Sequence, residues 1–209
     1  MLKSLKVENF KSIVDKDICL KNLNVLTGLN GSGKSSILQI LALLKQSINN
    51  NETGEKLFLF GNLLSLGKSK DILSEYSTSN DIKFNIELIK NENNESSTIN
   101  LNYSINDYEN ADVIQGSVDG NINDLRSVLN NLQYIQADRI SPRSFYPQAG
   151  TFNRESGWLG NNGEYTIDFI NQNENFLVSE NRSMKDQYSS IDSAFRNAIA
   201  PTLQLNDQI

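Results

Sequence analysis

Apolar and polar residues alternate from the start of the chain. Leu5, Val7 and Asn9 are interleaved with Lys6 and Glu8, the two-residue period of a strand with one buried face. The same reading predicts strands over residues 16–20 and 22–27, the latter running straight into a glycine-rich turn. Residues 35–48 then lack Pro and Gly and carry Leu and Ile on nearly all sides, which predicts a helix buried by its neighbours. Residues 81–89 and 97–105 alternate again on either side of a polar Asn-rich loop, the signature of a long antiparallel hairpin. A further strand is expected over residues 132–138. A helix is expected over residues 183–200, where Ile191, Phe195, Ala198 and Ile199 fall at helical spacing and Pro201 ends the run. No internal repeat is visible.

The turn after the third expected strand reads GLNGSGKSS. Gly28, Gly33, Lys34 and Ser35 occupy the fixed places of the phosphate-cradling pattern G-x-x-x-x-G-K-[ST]. Strand, glycine loop and buried helix are the setting in which that pattern works. Backbone amides from Asn30 to Ser36, Ser32 included, curl around a phosphate at the positive end of the helix dipole. Gly31 and Gly33 let the main chain approach without a Cβ in the way. Lys34, the expected catalytic residue, reaches between β- and γ-phosphates; Ser35 is the expected ligand of Mg²⁺, and Ser36 donates to the α-phosphate.

Composition narrows what else the chain can do. There is no histidine among the 209 residues, so Ser-His-Asp and Cys-His catalysis and histidine zinc sites are excluded within it. A single cysteine, Cys19, excludes an internal disulfide. The longest apolar run, residues 37–44, is interrupted by Gln39 and is too short to span a bilayer. No secretory signal is visible at the N-terminus, and these features together point to the cytoplasm with no membrane partner. The formal charge of −6 does not indicate DNA as a partner, since nucleic-acid binding would need a basic patch working against it. No Asp has Gly three positions later and no N-K-x-D occurs, which excludes a GTPase reading.

The segments VENFKSI (residues 7–13) and NVLTGLNGSGKSSILQIL (residues 24–41) resemble the ATP-binding cassette ATPases of the structural-maintenance-of-chromosomes and RecF type, AAA-family proteins. The resemblance implies an α/β P-loop NTPase fold: an ABC-ATPase-like first lobe with N-terminal antiparallel strands and a β-rich insertion. It divides the chain into residues 1–50, an insertion over 51–130, and a strand, Arg-rich loop and helices over 131–209. It implies ATP and Mg²⁺ as cofactors, a homodimer closing on the ATP sites, and Lys11 and Ser12 as further nucleotide contacts near the adenine and ribose. More loosely, residues 132–147 and 160–170 resemble stand-alone bacterial ATPases encoded beside a nuclease or toxin effector in anti-phage defence.

A cassette ATPase also needs a Ser-Gly-Gly type signature loop, an apolar strand ending Asp-Glu and a switch histidine, and none is found here. The expectation is an N-terminal lobe that binds ATP without turning it over unaided. Asp138 stays open as a magnesium aspartate, a strand-end ion pair or a lobe contact, because Gln133 and Gln136 interrupt its apolar run and Arg139 follows it. Arg139, Arg143 and Arg154 gather in one loop-rich region suited to a phosphate, a partner carboxylate or plain surface. Two other functions fit the residues: a non-hydrolysing nucleotide-binding regulatory module, and a small P-loop phosphotransferase using Asp138 for Mg²⁺.

Overall fold

The structure is a computed structural model and describes residues 1–90, 95–105, 111–138 and 140–175. The chain forms two compact units, Met1–Leu132 and Gln133–Ile209.

In the first unit, β1 (Leu2–Phe10), β2 (Ile13–Cys19), β3 (Lys56–Phe58), β4 (Asp81–Ile89), β5 (Ser96–Ser104) and β6 (Val113–Asp119) form one sheet in the order β2-β1-β4-β5-β6-β3. Every pairing is antiparallel. The expected hairpin is present as β4 and β5. β4 pairs directly with β1, bringing Leu5 opposite Ile86 and Val7 opposite Phe84. The period-2 pattern sorts the faces. Leu5, Val7, Ile82, Phe84, Ile86, Ile99, Leu101 and Tyr103 are buried on one face. The other carries cross-strand polar rows such as Asp17, Lys6, Asn85, Asn100 and Asp119. One-faced burial pins the register, since a slip of one residue would turn the whole apolar set outward.

Helix α1 (Lys34–Asn50) buries Ser36, Ile40, Leu43, Leu44, Ser47 and Ile48, a stripe at i, i+4 and i+3 spacing. It packs on β3 and on α3 (Ile122–Asn130), and a short α2 (Ser69–Ile72) lies between β3 and β4. Buried Gln46 ties α1 to the chain beyond β3. Its Nε2 donates to Phe58 O at 2.8 Å, and its Oε1 accepts from Leu63 N and Leu64 N at 3.2 Å each. The buried Tyr103 hydroxyl donates to Gly54 O at 2.7 Å. Lys45 Nζ donates to Asn130 O and Leu132 O, satisfying carbonyls at the C-terminal end of α3.

Two expected strands are corrected. Residues 22–27 pair with no strand among the described residues, and Leu23 and Val25 stand 82% and 75% exposed. Residues 132–138 likewise form no strand. Both segments have the apolar content of a strand, but a strand exists only through the ladder it shares with a neighbour. The expected helix over residues 183–200 lies outside the described residues.

In the second unit, α4 (Thr151–Glu155) and α5 (Thr166–Gln172) are joined by an ion pair. Arg154 Nε and Nη2 donate to the two oxygens of Asp168 at 3.0 and 3.1 Å, and Ala149 N donates to the same carboxylate. Asp168 is buried, and its carboxyl is held below the usual range by Arg154 first, against the opposing effect of burial. Arg154 is therefore a fixed internal partner of Asp168. Arg143 is exposed, and Arg139 lies outside the described residues. Among the described residues no helix is long and apolar enough to cross a membrane.

Candidate functional site

The glycine loop leads from residues 22–27 into α1. Gly28, Gly31 and Gly33 have φ of +147°, +81° and +89°, a run of left-handed backbone that only glycine adopts at low cost. Gly33 is the N-cap of α1 and offers no side-chain cap. The first helical bond runs from Ile37 N to Gly33 O, so the amides of Lys34, Ser35 and Ser36 precede the intrahelical ladder. The sequence therefore builds a helix start whose donors have no side chain of their own to bond.

Lys34 closes the loop. Its Nζ donates to Gly28 O at 2.8 Å and to Leu29 O at 2.6 Å, folding the ammonium back across the turn it leaves. Ser32 N adds a longer bond to Leu29 O at 3.3 Å. A Cβ placed on Gly31 would meet nothing within 4 Å, so the loop faces open space there. Asn30, Ser32 and Ser35 are exposed and Ser36 is buried. Open space, donors at a helix start and an ammonium bound only through neutral carbonyls fit a polyphosphate. The Ser35 hydroxyl is free to face solvent as an oxygen ligand. No group of three or more Asp, Glu, His or Cys able to hold a metal occurs among the described residues.

The β1–β2 hairpin flanks this loop. Phe10 pairs with Ile13, so the chain reverses on Lys11 and Ser12 alone. Ser12 Oγ lies 3.2 Å, and Ile13 Cγ1 3.1 Å, from where a Cβ on Gly33 would sit. Ser12 is thus brought against the loop. Lys11 adopts φ +52°, its backbone N–H donates to Ile72 O, and its Nζ donates to Gln39 Oε1 at 2.8 Å. Burial lowers the pKa of this ammonium. Gln39 was not singled out as a site residue by motif, although it is the polar break in the apolar run of residues 37–44.

Asp138 is exposed and ends no strand, so the buried Walker-type strand that a magnesium aspartate requires is not formed there. No match is found among curated proteins. A family model described as an AAA ATPase domain matches residues 1–198, nearly the whole chain and both ends of the glycine loop. The chain belongs to this family of AAA ATPase domains and is an ATP-binding ATPase module.

Proposed function

We propose that residues 28–36 hold the triphosphate of MgATP, and that the nucleotide state controls pairing of two ATPase lobes and, through it, an effector protein or DNA. The observation that carries the first half is the closed contact of Lys34 with the Gly28 and Leu29 carbonyls. A charge-assisted bond of an ammonium to neutral carbonyls yields to the stronger bond to a phosphate oxygen. Lys34 therefore exchanges loop carbonyls for β- and γ-phosphate oxygens. Amides from Asn30 to Ser36 supply the remaining donors, with Gly31, Ser32 and Gly33 shaping the approach, and Ser35 faces Mg²⁺. Lys11 and Ser12 border the site from the hairpin. The metal, when bound, neutralises charge on the transferring phosphoryl group.

Turnover requires more than a cradle. Residues 1–209 contain no histidine, no Ser-Gly-Gly signature and no apolar strand ending Asp-Glu. Hydrolysis then depends on groups that residues 1–209 do not supply, and the ATP sites close in a homodimer. The resemblance of residues 132–147 and 160–170 to stand-alone defence ATPases supports a nuclease or toxin effector in phage defence. DNA repair is the other setting of this family, and the net charge of −6 favours a protein contact over a DNA one.

The test is a titration of the chain with a fluorescent ATP analogue and Mg²⁺. Lys34→Ala removes a charged donor worth about 1.5–3 kcal/mol, so affinity is expected to drop about ten- to a hundredfold. Unchanged affinity in Lys34→Ala overturns the assignment. Steady-state hydrolysis by the isolated chain, lost in the same variant, overturns the dependence on groups supplied from elsewhere.

A further inference from the structure

Lys11 sits where a cation is costly. Its positive φ belongs to the region that side chains other than Gly, Asn and Asp avoid, at roughly 1–2 kcal/mol. Its side chain is half-buried against the Phe10 ring, 5.9 Å from ammonium to centroid. Of the other lysines of this unit, Lys3, Lys6, Lys83 and Lys90 lie against carboxylates, while Lys34 and Lys45 donate to main-chain carbonyls. Lys11 is held instead by a neutral amide, and desolvation is the one influence that shifts its pKa, with no carboxylate to offset it. Strain and uncompensated burial at one residue mark a position kept for something other than stability.

The tether joins two parts of the nucleotide site. Gln39 follows Ser35 by four residues on α1, so the two share a helix face. Lys11 belongs to the two-residue turn whose next residue, Ser12, abuts Gly33. An amide oxygen fixes the position of an ammonium but leaves its charge whole. A carboxylate in the same place would fix it equally well and cancel it.

We infer that Gln39 is a positioning residue for Lys11: a neutral tether that holds an unneutralised ammonium against the second turn of α1, ready for the anionic charge of a bound nucleotide. The inference rests on the nucleotide reading above. Gln39 itself touches no phosphate; it acts through Lys11. Of the residues on this face, Gln39 is the one whose replacement by Glu keeps the geometry and removes the available charge.

The experiment is a double-mutant cycle on the full chain, with Lys11→Met, Gln39→Leu and the pair, read as the dissociation constant for the fluorescent ATP analogue with Mg²⁺. Each single variant is expected to bind about tenfold more weakly, and the double variant no more weakly than Lys11→Met. A double variant weakened by the product of the two single effects overturns the inference, because independent structural losses add in free energy. Gln39→Glu is expected to weaken binding and to flatten its dependence on salt; wild-type affinity and salt dependence in Gln39→Glu overturn it also. A second measurement needs no nucleotide. Acetic anhydride labelling, read by mass spectrometry, should modify Lys11 more slowly than the exposed Lys16 and Lys21 in the wild type, and about as fast as them in Gln39→Leu. Persistent protection of Lys11 in Gln39→Leu shows that the amide does not hold it and overturns the tether. If the wild-type chain binds no MgATP while that protection is lost on substitution, the nucleotide reading falls and the tether stands.

Discussion

Gln46→Leu tests how the P-loop helix is fastened to the sheet. Gln46 is 3% exposed and makes three hydrogen bonds, one to Phe58 O and two from the amides of Leu63 and Leu64. Gly61 is packed so closely against it that an added Cβ would overlap the Gln46 amide. Leucine has similar bulk, so the cavity contribution is small and the loss is that of the polar contacts. Three bonds at about 1 kcal/mol each give a destabilisation of about 3 kcal/mol, and more where a buried group loses its partner outright. With a urea slope of about 2 kcal/mol/M, the unfolding midpoint should fall by about 1.5 M. The assay is equilibrium urea unfolding followed by circular dichroism. A shift below about 0.3 M, the size of an ordinary surface substitution, would refute the reasoning and mean that water replaces the amide at no cost.

Four further outcomes follow from the same structure. Tyr103→Phe removes the bond to Gly54 O and should lower stability by about 1 kcal/mol in thermal melts. Burial pushes the Tyr103 phenol well above its ordinary pKa, so ultraviolet titration should show no tyrosinate from it until the chain unfolds. For Asp168, whose folded pKa is depressed, the stabilisation is complete above the unfolded carboxyl value and is lost as pH falls through the folded one. Amides of α5 should therefore lose hydrogen-exchange protection on acidification, and Asp168→Asn should remove that pH dependence; retention of the full dependence in the variant would sink the assignment. Lys34→Ala should lose nucleotide affinity as described, measured by fluorescence titration.

The parts legible in the sequence are those whose burial is decided locally. The alternation in residues 81–89 and 97–105 names both the hairpin and its inner face, because each inward residue is covered by its own sheet and helix. The glycine loop was equally plain: a left-handed run needs Gly28, Gly31 and Gly33 whatever surrounds it. Residues 22–27 and 132–138 show the limit. Apolar character can announce a strand of the interior kind, but only a partner ladder makes one, and that partner is not encoded in the segment. The left-handed turn at Lys11 and its tether were hidden for a different reason. A lysine in the left-handed region carries no turn signal, and its tether, Gln39, looks like an imperfection in an apolar helix until the hairpin is folded against it.

The exposed apolar side chains of Leu23, Val25 and Leu29 bear on how the protein is handled. Leu29 is 84% exposed, and the main-chain donors and acceptors ahead of it pair with no strand among the described residues. Unpaired main chain beside exposed apolar side chains invites pairing with another copy, and the extent of such pairing rises with concentration. Concentration thus becomes the variable to control. A charged substitution at Val25, which faces water, is the simplest means of keeping concentrated preparations free of aggregates.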